Sequence, residues 1–238
     1  IQMKKNILII IVLFALVSCN NSKGISLTKL TGSPTYGQAK LRLNDFNEDE
    51  KNEFSFEVEN YELGIQTQND FKYKLANSAK GQHIHLIVNN QPYSAHYSKN
   101  FQKKLEGGNN VVLAFLSRSH HESVKNPNAY IFTQIGDGKK IDLEKQYLFY
   151  SRPKGTYTGS DTEKLLLDFY LVNTSISAKG NKVRVTIQDT EFLVDEWAPY
   201  IIEGLPKGEI TIKLELLNSY GELIENPFNP SIRKVILK

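Results

Sequence analysis

The chain has 238 residues, with 29 Lys and Arg against 26 Asp and Glu, for a formal net charge of +3. So small a balance points away from nucleic acid, or an anionic membrane surface, as an electrostatic partner. With one cysteine in the whole chain no internal disulfide can form, so the fold must rest on packing alone.

Taken in chain order, the first element is an export signal. Met3-Lys4-Lys5 is a basic start (Ile1 and Gln2 precede it), and "NILIIIVLFALV" (6–17) is an apolar run too short for a comfortable membrane span. It ends in Leu16-Val17-Ser18-Cys19, which resembles a lipobox, the signal of bacterial lipoproteins. In that family the matching cysteine receives a diacylglycerol and becomes the mature N-terminus. The resemblance implies a signal peptide over 1–18, lipidation at Cys19 and a polar tether over 19–24. A plain secretory signal with an incidental cysteine is the alternative. Asn20, rather than Asp, follows the cysteine, which in the general lipoprotein sorting pattern favours the outer membrane. Loss of Lys4 and Lys5 would lower the formal charge from +3 to +1, still near neutral.

The remaining chain is long enough for one large or two ordinary domains, and it repeats itself. "KGQHIHLIVNNQPYSAHYSKNFQKKLEGGNNVVLAFLSRSHHESVKNP" (80–127) lies over "GNKVRVTIQDTEFLVDEWAPYIIEGLPKGEITIKLELLNSYGELIENP" (180–227). Ile84, Leu86 and Val88 fall on Val183, Val185 and Ile187, and Asn126-Pro127 falls on Asn226-Pro227. A self-match this long decides the architecture. Apolar and polar residues alternate through 83–89, 110–117, 182–188 and 209–217, and no 3.6-residue period follows the signal. "EGLPKGEITIKLEL" (203–216) is a turn feeding a period-2 strand, as in immunoglobulin-like sandwiches. The expected fold is all-β, two tandem immunoglobulin-like β-sandwich domains of seven-strand type. They cover 25–136 and 140–238, joined at "GDGKK" (136–140) as adjacent, semi-independent units.

All five histidines lie between residues 83 and 121. With Ile84, Leu86 and Val88 facing the core, His83 and His85 face outward together. A four-residue loop at 89–92 would pair Val88 with Tyr93 and so His85 with His96, their β-carbons about 5 Å apart. Three imidazoles on one patch have the spacing for a shared Zn²⁺ or Cu²⁺, which binds His nitrogen near ~2.0 Å. The expected metal set is therefore His83, His85 and His96; His120 and His121, at the end of a later strand, could supply a fourth ligand, and His120 is the one assigned. In the second repeat, His85 and His96 correspond to Arg184 and Asp195, read as an ordinary cross-strand charge pair. His83 corresponds to Lys182, so the scaffold itself does not need imidazole there. A pH-sensitive or simply polar surface is the competing reading.

"LSRSHHES" (116–123) and "YSRPKGTYTGSDTEK" (150–164) combine hydroxyls with Arg118, Arg152 and Lys154. They could clamp a phosphate or carboxylate, or be solvated loops at strand ends. "EWAPYII" (196–202), with Trp197, could line a groove or cap a sandwich core. No Gly-x-Ser-x-Gly elbow, cysteine nucleophile or HExxH motif is present, so the chain is read as non-enzymatic.

At "KGQHIHLIV…PYSAHY", "LAFLSRSHHES", "LFYSRPKGTYTGSDTEKLLLDFYL" and "EGLPKGEITIKLELL" the chain resembles a family of two-repeat bacterial lipoproteins that often carry the label "phosphopeptide-binding protein". That label implies an anion site, which by chemistry would fall at Arg118, Arg152 and Lys154 with His120 or His121. The G-x-H-x-H-L stretch also resembles small exported β-domains with histidine-rich strands, which implies a metal role. The sequence thus reads as a lipid-anchored protein of the cell envelope, outer membrane favoured, whose first module binds Cu, Zn or a small polar ligand. The alternatives are an adaptor for a phosphorylated or acidic peptide, with Arg118, His121, Arg152 and Lys154 as its site, and a purely structural lipoprotein.

Overall fold

The computed structural model describes residues 24–47, 52–68 and 74–238. The expected signal peptide, Cys19 and all of the tether but Gly24 lie outside the described residues. The strands in chain order are β1 (Ser26–Lys29), β2 (Lys40–Asn47), β3 (Glu53–Glu59), β4 (His83–Val88), β5 (Ser94–His96), β6 (Asn100–Gln102), β7 (Asn110–Ser117) and β8 (Tyr130–Ile135). They continue with β9 (Tyr147–Arg152), β10 (Gly155–Tyr157), β11 (Lys164–Val172), β12 (Lys182–Ile187), β13 (Thr190–Val194), β14 (Tyr200–Glu203), β15 (Gly208–Leu217) and β16 (Ser231–Leu237). The one helical element among the described residues is a 3-10 turn at Gly159–Thr162, and no helix there is long and apolar enough to cross a membrane.

The repeat seen in the sequence is a repeat of topology. The first module pairs a sheet β2-β3-β6 with a sheet β5-β4-β7-β8, and the second pairs β9-β11-β14 with β13-β12-β15-β16. Seven strands occupy matching places in each, so the chain is a tandem of immunoglobulin-like β-sandwiches. Two strands are extra in the second module. β10 runs parallel to β16, and β1 pairs antiparallel with β14, setting Leu27 opposite Ile202. β1 falls in the range 25–136 expected for the first module, yet it completes a sheet of the second. It covers what would otherwise be the open edge of β14, and Leu30 just after it packs with Leu75, Leu166 and Ile201.

The two modules are not merely adjacent. Along β7, Val112, Ala114 and Leu116 fill the first module's core, while Val111, Leu113 and Phe115 pack against Tyr147, Phe149, Tyr170 and Val172 of the second. Every residue of β7 and of β9 is buried. Where alternation was expected over 110–117, the run "VVLAFL" is apolar on both faces, as a strand covered on both sides must be. The result is four stacked sheets with three apolar layers, the middle one shared. Its ring packing includes Phe115 stacked on Tyr170 at 4.7 Å between centroids.

A shared middle layer predicts that both modules unfold in one cooperative transition. Phe115→Ala should cost about 3–5 kcal/mol, the usual penalty for emptying a buried aromatic site. Calorimetry of the full chain should show one peak moving down as a whole; two peaks, only one of them shifted, would contradict the shared layer.

Candidate metal centre

Strand parity places the first two imidazoles. His83 and His85 share a face of β4 with Ile87, whereas Ile84 and Leu86 belong to the first module's core. That face is the inter-module layer rather than the outward one expected, so His83 and His85 are both 0 % exposed.

The β4–β5 turn is tighter than the expected four-residue loop. Asn89 and Asn90 both adopt left-handed backbone (φ 51° and 53°), and the Gln91 N–H donates to the Val88 carbonyl at 2.9 Å. Ala95 therefore stands opposite His85, and His96 opposite Ile84. One step of register carries a side chain to the other face. His96 leaves the patch, stacks on Phe101 at 3.5 Å between centroids, and meets the Ser94 hydroxyl at 2.8 Å.

His121 takes its place. After β7 the Arg118 N–H donates to the Glu122 carbonyl at 2.8 Å and the His121 N–H donates to the Arg118 carbonyl at 2.9 Å, with His121 at φ 69°. This turn sends the neighbouring imidazoles apart. His120 Nε2 lies 2.9 Å from a Glu122 carboxylate oxygen, while His121 Nδ1 lies 3.1 Å from His83 Nε2. The turn is clamped by a buried ion pair, Arg118 to Glu122 at 3.0 Å. Arg118 also donates to the carbonyls of Pro34 and Ser123, and the Ser33 hydroxyl donates to Glu122. Burial opposes the Glu122 charge, but the His120 hydrogen bond and the Arg118 guanidinium outweigh it and hold the carboxyl down at about 2.

Of the expected metal set, the structure joins His83 and His85, adds His121, and sends His96 and His120 elsewhere. One nitrogen from each of the three joined rings lies within 4.8 Å of the others. His83 Nδ1 is 2.8 Å from the Gly81 carbonyl, to which it can only donate, so in the neutral ring Nε2 carries the lone pair. His85 Nε2 at 2.8 Å and His121 Nδ1 at 3.1 Å both face that one lone pair. Only one of them can donate along it. If His85 instead donates from Nδ1 to the Ser151 hydroxyl, 3.4 Å away on β9, its Nε2 lone pair is freed as well. A metal–nitrogen bond near ~2.0–2.1 Å at tetrahedral angles sets nitrogens about 3.3 Å apart, so the His83–His85 and His83–His121 separations of 2.8 and 3.1 Å would open slightly around an ion.

The supporting shell of two rings is of the kind metal-bound histidines use, the Gly81 carbonyl behind His83 and the Ser151 hydroxyl behind His85. Gly81, at φ 83°, passes so close to Ile65 that a Cβ would stand 2.3 Å from its carbonyl oxygen, which explains glycine at this point of the chain. Tyr93 stacks on His85 at 3.5 Å between centroids, and its hydroxyl is 3.2 Å from His121 Nδ1. Burial, reinforced by Arg152 and Lys154, pushes His83 down to about 4 and holds His85 and His121 well below their ordinary value, so all three rings are neutral near pH 7. Neutral imidazole is the form a metal requires.

The expected anion set divides. Arg118 is spent on the Glu122 turn. Arg152 and Lys154 gather around Tyr93: Arg152 Nη1 donates to the Tyr157 hydroxyl at 2.8 Å, and Lys154 Nζ donates to the Tyr93 carbonyl at 2.8 Å. Arg152 Nε is buried without a partner. Burial and then the charges of Arg152, Arg233 and Lys103 lower Lys154 to about 8. In the second module Arg184 does not face Asp195. It stands opposite Leu193 on one side and Glu215 on the other, with which it pairs at 2.7 Å, and Glu215 is the counterpart of Phe115. Trp197 lies at the edge of both apolar layers, its indole N–H donating to the Phe169 carbonyl at 3.0 Å.

No protein-family model matches the chain, and a search of the curated proteins finds no match. Among solved structures, the fibronectin(III)-like modules of Clostridium thermocellum CbhA are similar at 12 % identity and TM-score 0.31, over 90 % of this chain and 94 % of that one. The central fibronectin-III array of RIM-binding protein is similar at 8 % identity and TM-score 0.28, over 84 % and 69 %. A Bacteroides ovatus protein, SGBP-B of a mixed-linkage glucan utilization locus, solved with a mixed-linkage heptasaccharide, gives 10 % identity and TM-score 0.21, over 78 % and 63 %. At such distances the fold assignment stands on the strand pairings above.

The buried imidazoles predict an acid limit to stability. On unfolding, rings with an ordinary value of 6.5 bind protons that His83 and His96 refuse until about pH 4. Their contribution is complete above about pH 6.5 and is lost as the pH falls through that window. Each such ring steepens the loss by about 1.4 kcal/mol per pH unit. Thermal unfolding of metal-free protein between pH 7 and 4 should show a steep fall that flattens in His83→Gln; a level midpoint across the window would contradict neutral burial.

Proposed function

We propose that this chain is a lipid-anchored binding protein of the cell envelope, without enzymatic activity, that holds a transition-metal ion on His83, His85 and His121. The convergence of three neutral imidazole nitrogens within 4.8 Å, His83 and His85 buried and His121 half-buried, carries the reading. The Gly81 carbonyl and the Ser151 hydroxyl support it by fixing the rings from behind. Copper and zinc are the ions such nitrogen ligands suit. Because Ser151 comes from β9, the second module is part of the site's shell rather than a spacer. The lipobox-like run ending at Cys19 supports attachment to a membrane, with the outer membrane favoured by Asn20. Membrane partitioning that survives Cys19→Ala would remove the anchor from the proposal.

A second reading rests on Arg152 and Lys154. An unpartnered buried guanidinium nitrogen beside a lysine crowded by other cations suits a phosphorylated or acidic peptide. Arg118 has no part in it, since its guanidinium is committed to Glu122, Pro34 and Ser123.

Titration of the purified chain with Cu²⁺ and Zn²⁺, followed by calorimetry and thermal unfolding, separates the two. One ion should bind per chain and raise the midpoint, with stabilisation of about 4 kcal/mol at a thousandfold excess over Kd. Binding should be lost in His85→Ala and His121→Ala and kept in His96→Ala. Equal affinity in all three variants would defeat the metal reading. Salt-sensitive binding of a phosphorylated peptide that persists in His85→Ala and disappears in Arg152→Ala would select the second.

A further inference from the structure

The charge around the three imidazoles bears on which ion they take, a question that rests on the metal reading above. A metal site usually supplies negative charge, either in a ligand or just behind one. This one supplies none. The three ligand rings are neutral groups, and the two nearby acids are already engaged. Glu122 is held by Arg118 at 3.0 Å and His120 at 2.9 Å, and Asp168 by Lys125 at 2.5 Å and the Ser123 hydroxyl at 3.1 Å. The charges that remain close are positive. The Arg152 guanidinium lies 5.4 Å from the centre of the Tyr93 ring and Lys154 Nζ 3.9 Å from it, and the same ring stacks on His85.

Solvent reaches the buried rings little, since His83 and His85 are 0 % exposed and Tyr93 3 %, while His121 and Lys154 are half-buried. A dication beside the Arg152 and Lys154 charges carries twice the repulsion of a monocation, because Coulomb energy scales with charge. Zn²⁺ on three histidines also wants a fourth ligand, ordinarily water or hydroxide. The polar atom beside the nitrogens is instead the Tyr93 hydroxyl, 3.2 Å from His121 Nδ1, a neutral phenol and a poor ligand. A filled-shell monovalent ion accepts three imidazoles without a fourth partner. Among the described residues the centre offers nitrogen ligands alone.

We infer that the site selects monovalent copper, Cu(I), over divalent ions, and that Arg152 and Lys154 are the selecting residues. They act on the ion through their charge and are positioning residues of the site, not ligands.

The test measures affinities on the full apoprotein. Cu(I) is supplied anaerobically against a colorimetric Cu(I) chelator, and Zn²⁺ against a colorimetric zinc indicator, for the wild type, His85→Ala, Arg152→Gln and Lys154→Gln. The expected wild-type result is one Cu(I) per chain, bound at least ~100-fold more tightly than Zn²⁺ and lost in His85→Ala. The sharper expectation concerns the charge variants. Removing one positive charge should raise Zn²⁺ affinity by about the square of the factor by which it raises Cu(I) affinity. Two charge variants are used so that a folding defect in one leaves the other to decide, with circular dichroism reporting the fold.

Zn²⁺ binding as tightly as Cu(I), at a site that still needs His85, would overturn the inference and leave the metal reading standing. A ratio of the two affinities that stays the same in both charge variants would overturn it equally. No His85-dependent binding of either ion would remove both.

Discussion

The middle apolar layer governs the rest of this molecule. Val111, Leu113 and Phe115 of the first sandwich meet Tyr147, Phe149 and Tyr170 of the second, and the outer face of β4 is drawn into the same layer. A strand face that would be wet in an isolated sandwich is dry here. That single fact turns two polar residues on β4 into buried neutral imidazoles and makes their lone pairs available. Isolated on a solvated sheet, the same residues would titrate near their ordinary value and compete with water for any ion.

The layer also explains why the two repeats diverged in chemistry while keeping their geometry. His85 stands opposite Phe115, and the corresponding pair in the second module is Arg184 opposite Glu215. Register is the same; environment differs. The second module's matching face carries a charged pair of 2.7 Å suited to a wetter surface, with Arg184 only partly covered. The first module's face must match an apolar neighbour, and imidazole is a polar group that can be buried when its nitrogens are satisfied by one another, by Gly81 and by Ser151.

Much of the architecture is readable from the residues alone. The self-match of 80–127 on 180–227 specifies two like modules, and strand parity puts His83 and His85 on one face away from Ile84 and Leu86. What parity does not give is the environment of that face. "VVLAFL" in β7 is a continuous apolar run, and "LLLDFYLV" in β11 is apolar but for Asp168, the mark of strands covered on both sides, and that signal separates a shared layer from independent modules. The ligand set is half readable. His96 falls elsewhere than expected because Asn89 and Asn90 both take left-handed backbone and tighten the hairpin by one step. His121 escapes a sequence reading because nothing in "SRSHHES" says which of two adjacent histidines a left-handed residue will turn inward; that depends on Arg118 and Glu122 meeting across the turn. The assignment of β1 to the second module is equally hidden, since a four-residue edge strand carries too little pattern to name its partner.

Placing the ion is the most direct test of the account. Crystals of the full chain grown with copper or zinc should give one strong anomalous peak between the modules, about 2.0–2.1 Å from His83 Nε2, His85 Nε2 and His121 Nδ1. A peak at His96 or His120, or metal only at the molecular surface with the three rings still hydrogen-bonded to one another, would contradict it.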